Sequence, residues 1–188
     1  MCGRYNFSSN SSDEKMSTLI QVMERKYPGQ YKTGEIFPGD PAPAMIARNE
    51  KIFPVPAIFG FPGYQDGKLL INARAETAAE KKTFADSLKE RRVILPASGF
   101  YEWDSAKMKY LFTVNAIPVM YLCGLYKLVD GQYRFVILTR AANESMTETH
   151  DRMPVIVDES NVRPYLTDPA AAVVIIANAA PMLQREKA

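Results

Sequence analysis

Apolar residues along this chain fall into two rhythms. Met16, Leu19, Ile20 and Met23 share one helical face, Ser11 and Glu14 precede them with capping-box spacing, and Tyr27-Pro28-Gly29 ends the run; a helix is predicted there. Shorter helices are predicted over residues 83–90, 143–149 and 160–166. Most of the remainder reads as strands, at residues 44–47, 52–59, 69–72, 93–96, 110–114, 119–126, 134–139 and 154–157. These runs are rich in β-branched and aromatic residues and are separated by Gly, Pro, Asp or Asn. Asp130-Gly131 between two such runs is a hairpin signal. No repeat or low-complexity tract divides the chain. The pattern predicts one α+β domain over residues 1–188, with a curved, mostly antiparallel β-sheet or barrel-like core and a few short peripheral helices.

Composition changes this picture mainly by exclusion. With 188 residues, 47% apolar and 23% charged, the chain can bury a sizeable core and is not a disordered segment. One histidine and two cysteines rule out a four-cysteine zinc site, a multi-histidine cage and a disulfide scaffold, so no metal or other cofactor is expected. A formal charge of +2 creates no general pull on polyanions. A nucleic-acid partner would need basic residues gathered on one face. The opening residues lack the apolar run of a signal peptide. The near-apolar stretch 170–183 is interrupted by Asn178 and Pro181 and is too short to span a bilayer. Cys2 stands where myristoylation needs glycine. A cytoplasmic monomer without membrane association is expected.

Met1-Cys2-Gly3 is the most informative tripeptide. Removal of an initiator Met before a small residue would leave Cys2 with an α-amine of pKa about 7.7–8.0 and a thiol near 8.5 on adjacent carbons. Such a 1,2-aminothiol can form an imine with an aldehyde and then close a five-membered thiazolidine. Alternatively the amine can serve as base for its own thiol, as in N-terminal nucleophile hydrolases. By position alone Cys2 could equally be an incidental residue of a frayed terminus. Cys123, inside the apolar run Val119-Met120-Tyr121-Leu122-Cys123, reads as a small buried hydrophobe.

Three further positions carry candidate chemistry. Asn72, in Ile71-Asn72-Ala73-Arg74-Ala75-Glu76-Thr77, lies where a strand end enters a loop. Glu102, in Gly99-Phe100-Tyr101-Glu102-Trp103, is a carboxylate among aromatics. Burial against rings would make it a usable general acid, whereas period-two alternation would point it into water on an edge strand. His150 precedes Asp151-Arg152-Met153-Pro154 and is the one side chain whose ordinary pKa suits proton traffic near neutrality. A lone histidine is more often structural, and Asp151 and Arg152 could be a solvated pair.

Met1-Cys2-Gly3-Arg4-Tyr5, the Asn72–Thr77 run, Gly99–Trp103 and His150–Pro154 follow one another in that order. Together they closely resemble the SOS response-associated peptidase (SRAP) family, whose members sense abasic sites in single-stranded DNA. The resemblance implies the SRAP fold and a covalent thiazolidine crosslink between Cys2 and the C1′ aldehyde of a ring-opened abasic sugar. It further implies that Asn72 orients the terminus and the sugar, that Glu102 shuttles protons and that His150 assists near the sugar hydroxyls. Arg4 and Arg74 match phosphate-contacting arginines, a task suited to a guanidinium fork.

The sequence departs from the family pattern twice. Of a Tyr-Asn-x-x-Pro segment, Gly34-Glu35-Ile36-Phe37-Pro38 keeps only Pro38, and a Trp-Gly pair is replaced by Phe59-Gly60-Phe61. Pro38, Phe59 and Phe61 are therefore expected at the DNA interface, the two rings supplying the aromatic face for base stacking. The implied partner is single-stranded DNA containing an abasic site. A cysteine N-terminal hydrolase or peptidase is the alternative, and a non-covalent DNA-binding module the third reading.

Overall fold

A computed structural model describes residues 2–8, 13–65, 67–178 and 180–188. In chain order the elements are β1 (Arg4–Phe7), α1 (Glu14–Lys26), β2 (Gly34–Ile36), β3 (Pro41–Arg48), β4 (Lys51–Phe59), β5 (Phe61–Pro62), β6 (Leu69–Leu70) and β7 (Asn72–Arg74). There follow α2 (Ala85–Glu90), β8 (Arg92–Ala97), β9 (Gly99–Trp103), β10 (Lys109–Val114), β11 (Met120–Val129) and β12 (Gln132–Ala141). The chain ends with β13 (Arg152–Pro154), β14 (Ile156–Val157), α3 (Glu159–Thr167), α4 (Pro169–Ala177) and β15 (Leu183–Lys187).

β12 is the hub. One of its flanks pairs antiparallel with β11 and then, further along, with β13; the other pairs parallel with β4 and then β7. Antiparallel contacts run on from β4 through β3 and β8 to β11, so β12, β4, β3, β8 and β11 close into a ring. A second, wholly antiparallel sheet has the order β15-β10-β9-β1-β2. The curved, mostly antiparallel core expected from the sequence is therefore present, with two parallel pairings that periodicity could not reveal.

Alternation divides the core in two. Phe135 and Ile137 of β12 join Val93 and Leu95 of β8 and the inner residues Tyr5, Phe7, Ile36, Phe100 and Phe112 of the second sheet. Val136 and Leu138 instead meet Cys123, Val162, Tyr165, Leu166 and Ile175 beneath the helices. This is the period-two pleat with apolar residues on both faces, as strands buried on both sides require. Arg92 is almost fully buried and donates to the carbonyls of Leu88, Lys89, Tyr165 and Leu166, tying together the carboxyl-terminal turns of α2 and α3. Carbonyls at a helix end are unsatisfied and partly negative, which suits a buried cation.

Several expectations need correction. Ser11 lies outside the described residues; the cap of α1 is Asp13, whose Oδ1 accepts from the Lys15 and Met16 amides. The strand expected over residues 69–72 is two short strands, β6 and β7, and α2 begins at Ala85 rather than at 83. Residues 143–149 form successive turns instead of a helix. Asn143 Oδ1 accepts from the Ser145 amide and hydroxyl at 3.1 and 2.6 Å, a local bond that competes with helical pairing. The near-apolar stretch contains α4, capped by Asp168 with Pro169 in its first turn. No helix among the described residues is long and apolar enough to cross a membrane.

Candidate active site

Cys2 lies where the two sheets meet. β1 runs between β2 and β9, with Arg4 opposite Tyr101 and Tyr5 opposite Phe100, so the terminus enters from the centre of a sheet. Cys2 is buried within the shared core. Asn72 approaches from the barrel side, held by the ladder that sets it opposite Ile137, and its Nδ2 donates to the Cys2 carbonyl at 3.0 Å. Its Oδ1 is buried with no hydrogen-bond partner among the described residues. A buried acceptor in that state is costly unless something else fills it.

Glu102 approaches from the other sheet. β9 is flanked by both β1 and β10, so it is not an edge strand. Phe100 and Glu102 face inward while Tyr101 and Trp103 face outward, which settles the ambiguity of the aromatic motif in favour of a buried carboxylate, only 4% exposed. Burial pushes the Cys2 thiol far above its ordinary value, and the negative charge of Glu102 adds to the effect. The resting thiol is therefore held protonated.

His150 is positioned by its own loop. Its Nδ1 accepts the Arg152 amide at 2.9 Å, and an Asp151 carboxylate oxygen lies 2.8 Å from the same nitrogen. A backbone N–H can only donate, so in the neutral ring the proton sits on Nε2; a protonated ring would offer Nδ1–H to Asp151. Arg152 does not form a solvated pair with Asp151. Its guanidinium is bidentate to Glu76, at 2.7 and 2.8 Å, and Nη2 also donates to the Thr139 carbonyl. Glu76 in turn accepts the Ala141 amide. The hydrogen bond from Arg152 holds the Glu76 carboxyl down at about 2, despite the opposing effect of partial burial. This clamp joins the segment carrying Asn72 to the segment carrying His150.

The nucleic-acid residues expected from the sequence are divided. Arg74 and Pro38 are exposed. Arg4 is half-buried, its guanidinium 4.5 Å from the Phe37 ring centroid and 4.8 Å from that of Trp103. Phe59 and Phe61 offer no stacking face. Both are buried, Phe59 stacked on Phe135 at 5.0 Å with Tyr5 edge-on, and Phe61 against Phe84. Core packing claims both: Phe59 ends β4 where that strand pairs with β12, and Phe61 opens β5 against β6. The exposed aromatic beside Arg4 is Phe37, 40% accessible, which starts a turn containing Pro38, Gly39 at φ 92° and Asp40. Sequence reasoning also missed Glu35 and Lys109. Nothing in their local sequence says that β2 and β10 bring them to Arg4.

Known proteins resemble this chain in sequence and in fold. A family model described as SOS response associated peptidase (SRAP) matches residues 1–185. The chain is 28% identical to the abasic site processing protein YedK of Escherichia coli over 180 residues, 88% of this chain and 79% of that protein. It is 32% identical to the abasic site processing protein YobE of Bacillus subtilis over 181 residues, 89% and 73% of the two chains. A crystal structure of a Bordetella bronchiseptica protein superposes with a TM-score of 0.74 at 20% identity, covering 100% of this chain and 99% of that one. One from Bacteroides thetaiotaomicron gives 0.72 at 19% identity, covering 99% and 91%. These two likenesses concern the fold.

Proposed function

The chain belongs to the SOS response associated peptidase (SRAP) family, and on that premise we propose that it captures abasic sites in single-stranded DNA on Cys2 as a stable covalent adduct. The observation that carries the reading is the approach of Asn72 and Glu102 to Cys2 from two different sheets.

Removal of Met1 frees the Cys2 amine. At about pKa 7.7–8.0 a fraction of that amine is neutral near pH 7, while the buried thiol is not ionised, so the amine attacks first. Its nitrogen bonds to C1′ of the ring-opened deoxyribose, giving a carbinolamine. Glu102 takes up the proton that the attacking nitrogen sheds and passes it to the departing hydroxyl, water leaves and an imine forms. The thiol then adds to the imine carbon, its proton passing through Glu102 to nitrogen, and the thiazolidine closes. The balance is one water lost, with no oxidant or reductant. Asn72 Nδ2 fixes the Cys2 carbonyl, and Oδ1 is the acceptor for the new amine or a sugar hydroxyl. A thiol held protonated by burial disfavours the peptidase alternative, in which a thiolate must attack an amide. Arg4 and Arg74 take flanking phosphates.

The test is a denaturing gel of processed protein with single-stranded DNA carrying one abasic site. A heat-stable shifted band is expected; its absence sinks the proposal. Glu102→Gln should form the band about a hundredfold more slowly or worse, in keeping with a proton-transfer role worth about 10² or more. Its binding to an intact oligonucleotide should stay within about twofold of wild type, since phosphate contacts dominate that affinity. A band that forms at the wild-type rate in Glu102→Gln removes the carboxylate from the mechanism.

A further inference from the structure

Arg4, assigned above to a DNA phosphate, already has an anionic partner. Its Nη1 donates to Glu35 Oε1 at 3.2 Å, and Lys109 Nζ donates to both Glu35 oxygens at 3.0 and 2.9 Å. The three residues come from β1, β2 and β10, and β9 supplies the aromatic floor. Lys109 Nζ is 3.9 Å from the Tyr101 centroid, while Arg4 lies between Phe37 and Trp103. The side chains of Arg4 and Glu35 are 37% and 25% exposed, so an outside anion can reach the cluster. Two cations grip the two oxygens of one carboxylate, which is also how they could grip the two non-bridging oxygens of a phosphodiester.

We propose that Glu35 is a built-in competitor for DNA phosphate: it occupies Arg4 and Lys109 until the backbone of a bound strand displaces it, and Lys109 is a phosphate contact alongside Arg4. The proposal rests on the reading of single-stranded DNA as the partner. Because phosphate replaces carboxylate at no change in charge number, a passing intact strand gains little at this point. A strand held at Cys2 by its abasic sugar gains retention from the covalent bond. Discrimination is a difference of affinities, and weakening the binding of the wrong partner serves it as well as strengthening that of the right one. Burial alone would raise the Glu35 carboxyl, but the hydrogen bonds from Lys109 and Arg4 outweigh it and hold the group below the ordinary carboxylate range, so the competitor stays charged near neutrality.

The experiment titrates a fluorescent thymidine oligonucleotide without an abasic site at several salt concentrations. Glu35→Gln should bind it three- to tenfold more tightly at low salt, and its plot of log K against log salt should steepen by about 0.7, since each phosphate contact on a single strand releases about 0.7 counterion. Glu35→Asp, which keeps the charge, should stay near wild type. Lys109→Met should bind three- to tenfold more weakly with a flatter slope. If Glu35→Gln binds no tighter than wild type, or Lys109→Met is unaffected, the carboxylate is only a strut for Arg4 and the proposal is overturned. Should Glu35→Gln not fold, the Lys109→Met slope decides alone. Failure of the function reading shows separately, as wild-type protein that gives no heat-stable adduct with abasic DNA.

Discussion

The two cysteines are buried to the same depth, Cys2 at 1% exposure and Cys123 at 0%, and burial pushes both thiols far above their ordinary value. Their neighbourhoods differ in kind. Around Cys123 the polar groups are spent on one another: the Tyr165 hydroxyl, which also interacts with the thiol, donates to the Gly124 carbonyl at 2.7 Å inside an apolar shell. Around Cys2, Asn72 uses its amide donor on the backbone and keeps a buried acceptor in reserve, and the charge of Glu102 acts on the thiol. Depth and a raised thiol therefore do not separate the cysteine proposed to react from the other one. Unspent polar capacity beside Cys2 does.

The largest effect that could break this contrast comes from substituting each cysteine. Cys2→Ala should abolish the heat-stable adduct. Cys2→Ser, which keeps the amine, should leave only an imine that borohydride can trap. Cys123→Ala should crosslink at the wild-type rate and lose about 1–2 kcal/mol of stability in urea, the cost of a small cavity beneath the helices. An adduct that survives Cys2→Ala unchanged, or disappears in Cys123→Ala at full stability, would reverse the assignment of the two neighbourhoods.

How much of this was legible in the sequence varied with the range of the interaction. The hairpin at Asp130-Gly131 was, because both residues adopt positive φ (50° and 76°) between Val129 and Gln132, a requirement local to the turn. Barrel closure was not, since β12 takes parallel partners from β4 and β7, distant in sequence and invisible to periodicity. The identities of Cys2, Asn72 and Glu102 came from motif order. The direction of Glu102 was open until β9 proved to be a central strand. Phe59 and Phe61 were misread because they stand where the family pattern has a Trp-Gly pair, while packing on Phe135 and Phe84 decided their place. Glu35 gave no local signal, because its role needs three strands side by side.

A smaller effect sharpens the Cys2 side. Glu76→Gln should leave the nearly buried guanidinium of Arg152 without its bidentate partner, costing about 1–2 kcal/mol near pH 7. It should also slow adduct formation severalfold, because the clamp sets the Asn72 segment against the His150 segment. The folded-state pKa of Glu76 is depressed from 4.5 to about 2, so its stabilisation is present above the ordinary value and fades as pH falls through the folded one. The stability gap between wild type and Glu76→Gln, followed by urea denaturation, should accordingly narrow in acid. A gap that persists undiminished below about pH 2 would place the effect in packing rather than charge.

The smallest effect probes the Cys123 side. Tyr165→Phe removes the hydroxyl that donates to Gly124 and leaves that carbonyl and the Cys123 thiol to rely on what remains. The loss of one buried neutral hydrogen bond is worth about 1 kcal/mol. Tyr165 lies beneath the helices, in the apolar cluster outside the one that holds Cys2, and no step of the proposed chemistry passes through it. The adduct should therefore form at the wild-type rate while the urea midpoint falls. A changed rate at this position would mean that the two faces of the barrel wall are energetically coupled, and that the reserve of polar capacity around Cys2 is set in part from the helix side.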